Sequence, residues 1–174
     1  MYLGHVGVAL GAKGLRPRVA LLALLIATYA PDWVDGGLCI FASYDPGGML
    51  SHSIPVVAAL AALGLAAYAL TTRDWLGGLV VAAVVASHLL LDLLTGYKPT
   101  WPGGPMIGMR LYDRPVLSLG IETLVLLIGV LIYGRSLPSR SRGWMDPAIM
   151  FGALMFMQLS IAFLRAVTVS LPKC

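Results

Sequence analysis

Charge is scarce in this chain. Only 11% of its 174 residues are Asp, Glu, Lys or Arg, against 59% hydrophobic, and the mean hydropathy is +0.86. A soluble domain carries about 25% charged residues. The shortfall, joined to several long apolar runs, excludes an ordinary soluble fold and places the chain among polytopic membrane proteins. Cysteine is nearly absent: Cys39 and Cys174 lack metal-ligand spacing, so a thiolate zinc framework is excluded and two unrelated thiols are the plain reading. No basic residue precedes Lys13, and no cleavage site follows the apolar segment after Arg18, so no signal peptide is expected. The net charge of +4 resides in basic residues clustered in loops, a mark of membrane topology and not of nucleic-acid binding. There is room for one helical bundle, a single domain over residues 1–174, and none for a sizeable soluble appendage.

The expected fold is all-α, with four full spans and an N-terminal hairpin of two short helices. A span needs about 20 apolar residues, and segments 54–72, 75–95, 115–134 and 147–170 supply them. Pro55 and Pro147 sit in first turns, where proline is tolerated, and Asp146 has the character of an N-cap. Segments 3–13 and 18–30 are individually short. Gly14 and Pro17 between them suggest a turn joining two partial-depth helices, with Pro31 ending the second and 31–53 a polar loop. Gly4, Gly7, Gly11 and Gly14 fall near one face of the first helix, which permits close helix approach. This arrangement puts Lys13, Arg16, Arg18, Arg73, Arg135, Arg140 and Arg142 on one side and Lys98, Arg110, Arg114 and Lys173 on the other. Seven against four makes the first side cytoplasmic. Cys39 and Cys174 fall on the outer side, where oxidation to a disulfide is permitted.

The polar residues that remain within the apolar framework are few and of one chemical kind. Ser87-His88-Leu89-Leu90-Leu91-Asp92 puts His88 and Asp92 on one helix face at i and i+4. The two can chelate one metal, or Asp92 can orient His88, or the pair can simply satisfy each other between helices. Pro31-Asp32-Trp33-Val34-Asp35 carries two carboxylates three residues apart, fit to bind a cation or to serve as ligand and general base, or merely solvated at a helix end. His52 between Ser51 and Ser53, and His5 near the start, are ambiguous singly. Glu122 lies two turns into its helix and needs a partner or a metal. The three histidines and the Asp32/Asp35 pair nevertheless all land on one predicted side of the membrane, with Glu122 entering from it. Imidazole and carboxylate form the ligand set of zinc and similar divalent ions, with manganese and iron open.

Taken in order, Gly4-His5, Pro31-Asp32-Trp33-Val34-Asp35, Ser51-His52-Ser53 and Ser87-His88-Leu89-Leu90-Leu91-Asp92 resemble the YdjM-like family of membrane-bound metal-dependent hydrolases over roughly the first two thirds of the chain. That family is distantly similar in pattern to zinc-dependent phospholipases C, although this chain lacks the further histidines of those soluble enzymes. The resemblance implies metal ligation by His5, Asp32, His52, His88 and Asp92, with Asp35 as ligand or base and Glu122 as a weaker carry-over. The expected activity is hydrolysis of a lipid or lipid-linked phosphoester by water activated on one or two divalent ions, Asp35 taking the proton. Arg110, Lys98 and Arg114, in the loop after the His88 helix, would grip an anionic headgroup or anchor at the interface. The site would face the extracytoplasmic side of a cell or inner membrane. Two rivals use the same residues: a metal-ion transporter, which an internal repeat would favour and none is evident, and a metal-free membrane binding protein.

Overall fold

The computed structural model describes residues 3–42, 49–138 and 146–167. Among these residues the chain folds as seven α-helices: α1 (Leu3–Leu15), α2 (Leu21–Thr28), α3 (Ala30–Ala42), α4 (Ile54–Thr72), α5 (Trp75–Thr95), α6 (Pro115–Ser136) and α7 (Pro147–Val167). A two-stranded antiparallel hairpin, β1 (Lys98–Pro99) with β2 (Met106–Ile107), and a 3-10 turn at Leu111–Asp113 occupy the connection from α5 to α6.

Helices α4, α5 and α6 are long and apolar enough to cross a membrane, at 19, 21 and 22 residues. Pro55 and Pro115 both sit at helix starts, where the missing N–H costs nothing. The fourth expected span corresponds to α7, in which Pro147–Ser160 forms a shorter apolar stretch. Asp146 Oδ1 accepts from Ala148 N at 2.7 Å, the cap expected there. Large side chains such as Leu63, Leu70 and Val116 stand exposed on the outer faces, as hydrocarbon-facing residues would.

One segment departs from expectation. Pro31 does not end a helix; it lies in the first turn of α3, so Asp32 and Asp35 project from helix and not from loop. Ala30 and Pro31 need no intrahelical N–H partner that far forward, and Trp33 N donates back to Tyr29 O at 2.9 Å, so the chain is already turning helically there. Cys39 on α3 is disulfide-bonded; Cys174 lies outside the described residues, as do Arg140, Arg142 and Lys173.

Two packed layers follow. Helices α1, α2, α4 and α5 enclose Ala9, Val19, Leu24, Val57, Val84 and Val85, while α1 and α6 enclose Leu3, Leu10, Leu126, Val130 and Tyr133. The glycine face of α1 is the seam of the second layer. A Cβ on Gly7 would stand 2.7 Å from Leu126 Cα, and one on Gly14 2.7 Å from the Ile132 carbonyl carbon. A Cβ on Gly129 would collide with the Gly7 carbonyl oxygen, so the two backbones touch. Gly108, at φ +146°, is another position that excludes a side chain, because its Cβ would strike Gly96 O.

The ends of the bundle are chemically distinct. Lys13 Nζ donates to Pro17 O and Val19 O across the α1–α2 turn, at 2.6 and 3.0 Å. Arg16 Nη2 donates to Asp74 Oδ1 at 3.2 Å, which brings that turn beside the α4–α5 turn at one end. Asp74 Oδ1 also accepts from Gly77 N at 2.9 Å as the N-cap of α5. The Gly77 N–H, then the Arg16 charge, hold the Asp74 carboxyl below its ordinary value. A depressed carboxyl stabilises the fold above the unfolded pKa of about 3.9 and loses that contribution as pH falls through the folded value. Asp74→Ala is therefore expected to melt earlier than the parent at pH 7. The gap should narrow as the pH drops below about 4, read by thermal denaturation in detergent at the two pH values.

Candidate metal centre

The opposite end of the bundle gathers the histidines. His5 comes from the first turn of α1, His88 and Asp92 from the last two turns of α5, Asp32 and Asp35 from the first turns of α3, and His52 from the turn that leads into α4. All three imidazoles and Asp92 are buried, whereas the Asp32 side chain is 49% exposed and borders the open edge.

The His88 and His52 rings are each held from one edge so that the other points inward. His88 Nδ1 lies 2.6 Å from Thr28 O. A carbonyl only accepts, so Nδ1 carries the hydrogen and Nε2 presents a lone pair. His52 Nδ1 lies 2.7 Å from Ser51 Oγ and 3.5 Å from Asp35 Oδ2, and the carboxylate places the hydrogen there too. The two Nε2 atoms then face each other at 3.1 Å. Two lone pairs at that distance repel, so a proton or a cation must lie between them. Asp32 Oδ1 stands 3.3 Å from His52 Nε2 and 3.8 Å from His88 Nε2; Asp92 Oδ2 stands 3.4 and 3.7 Å from the same atoms. Burial lowers the His52 pKa, but the Asp32 and Asp35 carboxylates outweigh it and raise it above the ordinary imidazole value, so this point favours positive charge.

Spacing supports a metal. Two ligand atoms about 2.1 Å from a zinc ion in tetrahedral geometry stand roughly 3.4 Å apart, close to the separations between these nitrogens and oxygens. Two triads have ligand atoms that all lie within 4.8 Å of one another, His5–His88–Asp92 and Asp32–His52–His88. His88 belongs to both, and with Nδ1 engaged it has one lone pair to give, so the triads share one focus. His5 Nε2 lies 3.7 Å from Asp92 Oδ1, and both His5 ring nitrogens are buried without a hydrogen-bond partner. A buried imidazole left so is costly unless something else occupies it.

Other expected residues take other places. Asp35 reaches the Nδ1 edge of His52, behind the ring, where a carboxylate orients a ligand histidine. Glu122, on α6, accepts from Gln158 Nε2 of α7 at 2.9 Å and belongs to neither triad. Arg110 lies 3.6 Å from Asp113 and its guanidinium sits 4.8 Å over the Tyr97 ring, at the surface. Of the loop cations, Lys98 reaches the cluster: its Nζ donates to Asp92 Oδ2 at 2.8 Å. Thr100 O accepts from Ile54 N at 3.2 Å, so the hairpin bearing Lys98 is fastened over the start of α4. Thr28 was not legible as part of the centre. Its carbonyl fixes the His88 ring while its hydroxyl donates to His5 O at 3.1 Å.

The family model for the YdjM inner membrane protein matches residues 2–167, and the chain belongs to that family. No curated protein and no solved structure matches the chain.

Proposed function

We propose that this inner membrane protein is a metal-dependent hydrolase of a lipid or lipid-linked phosphoester. His5, His52, His88, Asp92 and Asp32 would surround a single divalent ion, with zinc favoured by three imidazoles. The observation that carries the reading is the 3.1 Å approach of the His52 and His88 Nε2 atoms, with their Nδ1 edges engaged and two carboxylates aimed at the same point. A bound divalent ion lowers the pKa of its water toward about 7 and polarises a phosphoryl oxygen.

The remaining roles belong to the chain. Asp32, on the open edge, is the carboxylate to which an incoming water is exposed, and it takes the proton. Asp35 holds His52 in the tautomer that keeps Nε2 inward, and Thr28 O does so for His88. Lys98, paired with Asp92 at the rim, is the cation that meets a phosphate. The basic end, with Lys13, Arg16, Arg18, Arg73 and Arg135, supports a cytoplasmic orientation for that end and an extracytoplasmic one for the site. In the same reading α1 and α2 form a partial-depth hairpin. The test is hydrolysis of a panel of phospholipids and lipid-linked phosphates by zinc-loaded protein; a panel left intact overturns the assignment.

Lys98 gives a sharper check. Its ammonium holds an oxygen that the ion also needs, and a hydrogen bond to a charged group contributes about 1.5–3 kcal/mol. Lys98→Met is expected to bind zinc about tenfold more tightly while losing turnover of anionic substrate. Zinc titration and initial rates measure the two effects separately; parallel changes in both would contradict this role.

A further inference from the structure

Beside the metal centre runs an apolar groove of about 560 Å³ between α2 and α3 on one wall and α4 on the other, floored by Val81 and Val85 of α5. The α4 wall is a stripe at helical spacing from Leu60 through Gly64 and Ala67 to Thr71. Eleven residues of helix rise about 16 Å, close to half of a bilayer core of about 30 Å. The facing wall combines the small side chains Ala23, Ala27 and Ala30 with Ile26 and Trp33. From these dimensions and from its position we propose that the groove holds one hydrocarbon chain of a membrane lipid whose phosphate sits at the metal centre. This rests on the hydrolase reading and specifies its substrate as a chain-bearing phosphoester taken directly from the bilayer.

Continuity with the site carries the assignment. Trp33, 63% exposed, lines the groove and is the neighbour of Asp32, the exposed member of the ligand set. Ala27 is the neighbour of Thr28, whose carbonyl holds His88, and Val85 lies one turn before His88 on α5. The groove thus adjoins the open edge of the centre. A second apolar groove lies between α1, α5 and α6; no residue of the metal centre lines it, and on that side the His5 ring is 0% exposed. A lipid lying in the first groove brings its headgroup to Asp32 and Lys98; one in the second meets a buried wall.

The experiment uses the full chain with Trp75, Trp101 and Trp144 changed to Phe, so that Trp33 alone reports. Zinc-loaded protein in phosphatidylcholine nanodiscs receives dibromostearyl phosphonate, whose carbon–phosphorus bond resists hydrolysis, or dibromostearyl alcohol at equal mole fraction. Bromine quenches tryptophan on contact. The phosphonate is expected to quench Trp33 more than the alcohol does, and that excess is expected to vanish on zinc removal and in Ala67→Phe, which fills the groove. Ala67→Phe must still bind zinc stoichiometrically, which certifies its fold. Equal quenching by the two probes, or an excess that survives Ala67→Phe, overturns the groove assignment while leaving the metal centre standing. Parent protein that takes up no zinc overturns the hydrolase reading itself, and this inference with it.

Discussion

Changing His88 and Asp92 together to Ala is expected to lower divalent-metal affinity by more than about 100-fold. Loss of a group that merely orients a ligand already costs 10–100-fold, and here two ligands go. His88 is the common member of both triads, and Asp92 is the carboxylate that reaches all three imidazoles. The double variant also strips Thr28 O of its donor inside the bundle, so folding needs its own control. His88→Asn supplies it: the amide can still donate to Thr28 O, but the inward nitrogen is gone. Elemental analysis of detergent-purified protein should find about one equivalent of zinc in the parent and a trace in both variants, with helical circular dichroism retained in His88→Asn. Stoichiometric zinc in the double variant would end the metal assignment.

The other large effect is steric. Gly129→Val is expected to destabilise the bundle severely, because its Cβ meets the Gly7 carbonyl oxygen and backbone cannot rotate aside as a flexible side chain can. Overpacking typically costs 1–3 kcal/mol, and here α1 must part from α6 along a seam that also includes Gly14 against Ile132. Separation would move His5 away from Asp92, so zinc affinity should fall with stability. Gly120→Ala on the same helix is the control: nothing lies within 4 Å of a Cβ there, and alanine favours helix over glycine by about 1 kcal/mol. Thermal unfolding should separate the two variants clearly. A Gly129→Val protein melting with the parent would mean that the α1–α6 contact is not as described.

Much of this was written in periodicity. Apolar runs of spanning length marked α4, α5 and α6, and the i, i+4 spacing of His88 and Asp92 survived into three dimensions. The glycines of α1 announced a close helix contact, though not that α6 supplies it. What stayed hidden is of two sorts. The helix through Asp32 and Asp35 was misread because proline stops a helix from behind but opens one from in front, and composition does not distinguish these. Thr28 acts largely through its backbone carbonyl, which every residue has, on a ring sixty positions away. Lys98 was expected at the headgroup; that it also pairs with Asp92 depends on the register of a short hairpin, two residues in each strand, that apolar patterning does not encode.

The lysine at the rim has an electrical consequence. Among the described residues, Asp32, Asp35 and Asp92 bring three negative charges to the imidazoles and Lys98 returns one positive. The remainder is a deficit of two, which a doubly charged guest cancels. In the proposed metal-bound state, with the imidazoles as neutral ligands, a monovalent guest would leave the pocket anionic and a trivalent one would overfill it, so the proposal favours a divalent ion on charge as well as on coordination.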